Sequence, residues 1–283
     1  MPIVLQNLSY TYQPGTPYES PALHDINLTV KSGQFVGLIG HTGSGKSTLI
    51  QHCNGLLFPM AGQAMVDNMA ILPKSKDLKE IRRKVGLVFQ YPEHQLFEET
   101  VALDIAFGPK TLGLDQGEIQ RRVRWAMKMV DLDYEKFKEL SPFGLSGGEK
   151  RRVAIAGVLA MQPKYLILDE PCAGLDPKGR EEILYQLKRL NEKGLAIILV
   201  SHSMDDVARL AQRLVVIHQG HIVYDDAVRQ VFGKAKELEA MGLDVPEVMK
   251  LMMRLKEKGL AVHQDVLTIE EGQDEILRVL GHA

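Results

Sequence analysis

The chain holds only two cysteines, Cys53 and Cys172, in 283 residues. That is too few for a disulfide framework or a cysteine metal cluster, so both are expected to be reduced thiols without chemistry of their own. An excess of charge of either sign is also missing. The 34 Lys and Arg residues nearly balance 36 Asp and Glu, and a net charge of -2 leaves no electrostatic footprint for general nucleic-acid binding. Apolar runs are short throughout. None reaches the ~18 residues of a spanning helix, so work at a membrane would need other chains to cross it. The start, MPIVLQNLSYTY, has no basic segment ahead of a long apolar one, and a secretory signal is not expected. Internal repeats and low-complexity tracts are likewise missing. What remains is an ordinary globular composition, 45% hydrophobic and 25% charged, over a length that allows about two domains.

The runs FVGLIG (35–40), VGLVFQ (85–90), YLILD (165–169) and AIILVS (196–201) are continuously apolar, which suits parallel strands covered on both faces. IVLQNLSYTY, HDINLTV and QAMVDNMAI alternate instead, and predict an antiparallel side layer. Residues 94 to about 145 read as an inserted helical subdomain, with caps and breaks at Pro109, Gly113 and Pro142. RLVVIHQGHIVYDD predicts a hairpin turning at Gln219 and Gly220, and from Ala227 the pattern is helical. In DVPEVMKLMMRLKEKG, Asp244 and Glu247 have capping spacing, Pro246 suits a first turn, and Val248, Leu251, Met252 and Leu255 share one face. The fold class is α/β.

Chemistry concentrates at the ends of the apolar runs. GHTGSGKS matches the P-loop pattern, with Gly40, His41, Thr42, Gly43, Ser44 and Gly45 as a backbone cradle for phosphates and Thr48 just beyond. Lys46 would neutralise β- and γ-phosphate oxygens, and Ser47 would ligate Mg²⁺. YLILDEP ends in paired carboxylates: Asp169 suits the surroundings of Mg²⁺, and Glu170 can act as general base on water. His202, closing LVSHS, could hydrogen-bond the γ-phosphate or that water, and Gln90 could touch both metal and water. Tyr12 reads either as an adenine platform or as an ordinary core aromatic. A second anion-binding loop lies in SPFGLSGGEKRR, where Ser146 and Glu149 form a capping-box spacing and Gly147 and Gly148 allow close approach of backbone N–H groups. Lys150, Arg151 and Arg152 after it read as a solvated basic run.

In this order the motifs resemble the nucleotide-binding subunit of ATP-binding cassette (ABC) transporters over residues 1 to 225. Tyr12 takes the A-loop place, residues 40–47 Walker A, Gln90 the Q-loop, LSGGE (145–149) the signature, residues 165–170 Walker B, Asp176 of AGLDP the D-loop, and His202 the switch. The resemblance implies a P-loop NTPase core (1–226, helical subdomain inserted at 94–145) with an antiparallel β side layer and a small C-terminal helical extension (227–283). It also implies ATP and Mg²⁺ as cofactors and a head-to-tail dimer, in which Ser146, Gly147, Gly148 and Asp176 meet the nucleotide on the opposite P-loop.

VFQYPEHQLF and the Walker A region look most like an energy-coupling factor (ECF) transporter ATPase of the second paired type, serving vitamin or transition-metal importers. That likeness implies a second ABC ATPase as partner, a paralogue rather than an identical chain, with a transmembrane coupling protein and a substrate-binding membrane protein. The chain would be peripheral, on the cytoplasmic face of the cell membrane, with no nucleic-acid partner. Glu93, His94, Gln95, Leu96 and Phe97 would dock the coupling protein, or else pack internally. Met249, Met252 and Met253 would pair ATPase subunits, or else belong to the core. Cys172 departs from the small hydroxyl residue usual in the family's D-loop. The alternative is a soluble ABC ATPase of iron–sulfur assembly or a nucleic-acid process.

Overall fold

The computed structural model describes residues 2–281. The chain opens with β1 (Ile3–Tyr12), β2 (Ser20–Val30), β3 (Phe35–Ile39), α1 (Lys46–Cys53), β4 (Ala61–Val66), β5 (Met69–Ala70), α2 (Leu78–Lys84) and β6 (Val85–Val88). A helical stretch follows, with α3 (Val101–Thr111), α4 (Gln116–Met129), α5 (Tyr134–Phe137) and α6 (Gly147–Leu159). Strand and helix then alternate through β7 (Tyr165–Asp169), α7 (Pro177–Glu192), β8 (Ala196–Val200), α8 (Met204–Leu210), β9 (Arg213–His218) and β10 (His221–Ala227). The described chain ends in α9 (Val228–Phe232), α10 (Ala235–Ala240), α11 (Glu247–Glu257) and α12 (Ile269–Leu280).

The apolar runs form the central sheet, ordered β10-β9-β3-β8-β7-β6, with β9, β3, β8, β7 and β6 parallel and β10 returning antiparallel. Every residue of β3 and β8 is buried, as strands covered on both faces require. One face packs Leu38, Ile167 and Ile198 against α1 and the antiparallel sheet β2-β1-β4-β5, through Leu49, Ile3 and Leu28. The other packs Leu166 and Ile197 against Ile105, Val123, Val153 and Leu187 of the helices. A third cluster joins Ile39, Leu214 and Val216 to Val228, Phe232, Leu238 and Met249, so the C-terminal helices share a core with the sheet.

Asp67 fastens the side layer to this sheet. With Asn68 it makes the turn between β4 and β5, both at positive φ (49° and 66°). Its buried carboxylate accepts from Lys164 Nζ (2.7 Å), Lys84 Nζ (3.0 Å) and Tyr165 Oη (3.3 Å). Burial alone would raise its pKa, but the two lysines hold it below the usual carboxylate range.

Several local expectations change. The strand expected to run to Gln90 stops at Val88, because Tyr91 turns into the left-handed region (φ 55°) ahead of Pro92, which has no N–H for the ladder. Pro109 sits inside the last turn of α3 rather than breaking it. The helical layer continues past 145, since α6 packs on both α3 and α4. At α11 the cap is not Asp244, whose carboxylate accepts from Val245 N–H and Lys250; Pro246 is the N-cap, and Asp205 of α8 accepts from Glu247 N–H at 3.0 Å. Met249 and Met252 are buried within the chain, while Leu251, expected on the packed face, is exposed.

Candidate active site

The P-loop is moulded from behind. A Cβ on Gly40 would lie 2.3 Å from the Ile217 carbonyl oxygen, and Gly45, at φ 108°, would bring one within 2.7 Å of the Ala22 oxygen. Only glycine fits either place. The β9–β10 turn holds this shape, with Gly220 N–H donating to Ser44 O and His24 N–H to Gly220 O, each at 2.9 Å. His41 packs edge-on against His218, with ring centroids 5.1 Å apart. Thr42 and Gly43 form the exposed tip, and Ser44 and Thr48 are buried.

In α1 the first intrahelical bond is Leu49 N–H to Gly45 O at 2.8 Å, so the amides of Lys46, Ser47 and Thr48 remain available to an anion. Lys46 is buried, with Nζ donating to the oxygens of Gly40 (2.6 Å) and His41 (2.9 Å). Burial lowers its pKa, opposed by Glu170 and Asp169. At the rim, Tyr12 is 38% exposed, and its hydroxyl lies 3.1 Å from Thr48 Oγ1. The ring is therefore open and anchored at one end, and Tyr12 is not the core aromatic of the alternative reading.

Across from the loop, β7 delivers the carboxylates. Ser47 Oγ donates to Asp169 Oδ2 at 3.1 Å, bringing together two hard oxygen donors of the kind Mg²⁺ takes. Burial raises the Asp169 pKa, countered by Ser47 and Lys46. Glu170 has a left-handed backbone (φ 50°), and its N–H donates to Val200 O at 3.0 Å. Its carboxyl is pushed up to about 7, first by burial and then by Asp169. Oε1 is buried without a hydrogen bond and lies 3.5 Å from His202 Nε2. His202 is shifted the other way, below its ordinary value, by burial and then by Lys46, so at neutral pH it is an uncharged imidazole.

The second loop is built as its spacing predicts. Ser146 caps α6, with Ser146 N–H donating to Glu149 Oε2 at 2.9 Å and Glu149 N–H to Ser146 Oγ at 3.3 Å. Ser146, Gly147 and Gly148 line a cavity of about 400 Å³ with Asp176, Lys178 and Glu182. Asp176 caps α7, accepting from Gly179 N–H at 2.9 Å. Among the described residues no hydrogen bond joins this loop to the P-loop of the same protomer. Gln90 also stands apart, exposed beyond β6.

Two arginines escaped the sequence reading. Arg151, expected in solvent, is buried and bonded to Glu93 and to the carbonyls of Pro171 and Ala173. Consequently Glu93 is not free for docking, and Leu96 is core; of that segment His94, Gln95 and Phe97 are exposed. No local pattern marks Arg151. Arg180 bonds Ser203 Oγ (2.6 Å) and the buried Asp206 (2.7 Å), holding the turn after His202 to α7. Here a signal existed: Ser203 and Asp206 have capping spacing, and Ser203 Oγ does accept from Asp206 N–H. Burial pushes the thiols of Cys53 and Cys172 up to about 12, which leaves both protonated at neutral pH.

Comparison with known proteins gives concordant matches. Residues 23–173 match the ABC transporter family model. The chain is 56% identical to the energy-coupling factor transporter ATP-binding protein EcfA2 of Clostridium acetobutylicum, over 100% of this chain and 99% of that protein. It is 55% identical to EcfA2 of Clostridium tetani, over 100% and 98%. Among solved structures, cbiO1 from Clostridium perfringens, part of the ABC transporter complex cbiONQ, superposes with a TM-score of 0.75 at 37% identity, covering 91% of this chain and 96% of that one. The ATP-binding cassette MJ0796, a dimer in a post-hydrolysis state bound to ADP and Pi, gives 0.71 at 32% identity, over 80% and 98%.

Proposed function

Since this chain belongs to the ABC transporter family, and within it to the energy-coupling factor ATP-binding proteins, we propose that it hydrolyses Mg-ATP in a site completed by a second ATPase subunit. The cycle would drive uptake of a vitamin or transition-metal ion through membrane partners. One observation carries this reading: Lys46, Ser47, Asp169, Glu170 and His202 converge at the C-terminal ends of β3, β7 and β8, where open α/β sheets gather ligands.

The glycine cradle from Gly40 to Gly45, closed to any Cβ at two places, fits a polyphosphate, and the paired oxygens of Ser47 and Asp169 fit Mg²⁺. Bound there, the ion would neutralise charge on the β- and γ-phosphate oxygens. Lys46 binds the same oxygens, and the amides of residues 46–48 orient them. Glu170 takes the proton of the attacking water at Oε1, for which a pKa of about 7 suits a base at neutral pH. His202, uncharged, aligns that water or the γ-phosphate. Gln90 would offer its amide to the metal and water, and the exposed ring of Tyr12 would stack on adenine.

Ser146, Gly147, Gly148 and Asp176 are assigned to the nucleotide of the opposite subunit. Their separation from the P-loop within one protomer supports this, as does the dimeric form of the ADP-bound relative. The pair would be head-to-tail, with a paralogous ATPase as the second subunit. The exposed side chains of His94, Gln95 and Phe97, the last packed edge-on against exposed Phe107 at 5.0 Å, would dock the transmembrane coupling protein. A substrate-binding membrane protein completes the assembly, and this chain would be peripheral, on the cytoplasmic face of the membrane. No helix among the described residues is long and apolar enough to cross a membrane. In the extension from 227 to 283, exposed Leu251, Ile269 and Leu280, not the buried Met249 and Met252, are available to pair subunits, and Met253 is half-buried. Phosphate release from Mg-ATP, together with copurification of a hydrophobic membrane subunit, tests the reading; a protein without turnover, or one found solely in soluble assemblies, would count against it.

A further inference from the structure

Arg151 heads the fully buried side chains by size, at 1% exposure. Its guanidinium carries five N–H donors, and four of them are engaged, two at each edge of the fork. Nε (3.1 Å) and Nη2 (2.7 Å) donate to the two carboxylate oxygens of Glu93, and Nη1 donates to the carbonyls of Pro171 (2.7 Å) and Ala173 (2.8 Å). Burial alone would raise the Glu93 pKa, but Arg151 brings it below the ordinary range, so the pair is ionised at neutral pH. These two carbonyls belong to the turn immediately after Glu170.

We propose that Arg151 is a positioning residue for ATP hydrolysis: oriented by Glu93, it clamps the turn behind Glu170 and thereby fixes where that carboxylate stands. The inference rests on reading Glu170 as the general base. Glu170 holds a left-handed backbone, a conformation that persists only when its surroundings over-determine it. On one side its N–H is tied to Val200 O at 3.0 Å; on the other its carbonyl accepts from Ala173 N–H at 3.1 Å. Arg151 secures that second side by charge-assisted bonds to residues 171 and 173. Lysine could not replace it, since a single ammonium cannot address a carboxylate bidentately and two carbonyls on the other edge at once.

The experiment measures kcat and the KM for ATP in the full chain for Arg151→Lys, Glu93→Gln and their combination, beside Glu170→Gln. The expected result is a fall in kcat of about 10- to 100-fold, the cost of roughly an ångström of misplacement, with KM within about threefold. The double variant should be little worse than either single, and a level KM beside a fallen kcat separates positioning of Glu170 from a part in holding ATP. If Arg151→Lys fails to fold, Glu93→Gln decides alone. Unchanged kcat, or a loss of kcat matched by an equal loss of ATP affinity, would overturn the proposal and leave Arg151 a packing residue. Parental turnover in Glu170→Gln would instead overturn the base assignment, an outcome separable from the rest.

Discussion

His202 Nε2 lies 3.5 Å from Glu170 Oε1, and burial moves the two groups in opposite directions, the carboxyl up to about 7 and the imidazole down. At neutral pH the ring is uncharged, so the contact is not an ion pair. A base protonated below its pKa cannot accept a proton, so kcat should rise about tenfold per pH unit on the acid side and flatten above about 7. Steady-state phosphate release across that range checks it. A profile flat down to about pH 5 would remove Glu170 from the role.

Glu170→Gln should lower kcat by about 10²–10⁴ while retaining ATP, and the nucleotide-bound pair should accumulate. It should also stabilise the fold. A carboxyl whose folded pKa is raised from 4.5 to about 7 contributes stability below the lower value and loses it as pH rises through the higher one. Above neutrality the ionised side chain costs about 3 kcal/mol that glutamine does not. Urea unfolding should show that gain at about pH 8 and little of it near pH 5.

Lys46 and Ser146 separate binding from completion of the site. Lys46→Ala removes the buried cation of the cradle, and nucleotide affinity should fall about 10- to 100-fold, the worth of a charge-assisted contact. Ser146→Arg loses the α6 cap, about 1 kcal/mol, and fills the cavity beside Asp176. One chain should still bind nucleotide by equilibrium titration, yet turnover should vanish; unaltered turnover would rule out a shared site.

Asp67→Asn tests the brace between the two sheets. Asparagine tolerates the positive φ, so the loss reports the ion pairs, about 2 kcal/mol because Lys164 is half exposed. The folded pKa of Asp67 is lowered, so its contribution is present above the unfolded value of 3.8 and disappears as pH falls through the folded one. Denaturant midpoints of parent and variant should differ at neutral pH and converge in acid.

The sequence made legible whatever rests on local pattern. β3, β7 and β8 declare themselves by apolar runs, the P-loop by its glycines, and the α6 cap by Ser146 and Glu149. It misled where long-range contacts decide: Arg151 looks solvated until Glu93, 58 residues away, and the Pro171 carbonyl are brought around it. Asp244 had capping spacing, but Asp205 from another helix took the amide of Glu247. Gln90 looks like a strand end because Phe89 is apolar, whereas Pro92 and the turn at Tyr91 end the ladder earlier.

The most direct test follows Mg-ATP turnover per chain on dilution, with the partner ATPase present and the assembly state followed by sedimentation. Specific activity is expected to fall in step with the loss of paired subunits and to return on concentration. Undiminished activity in a population of single chains would contradict the account.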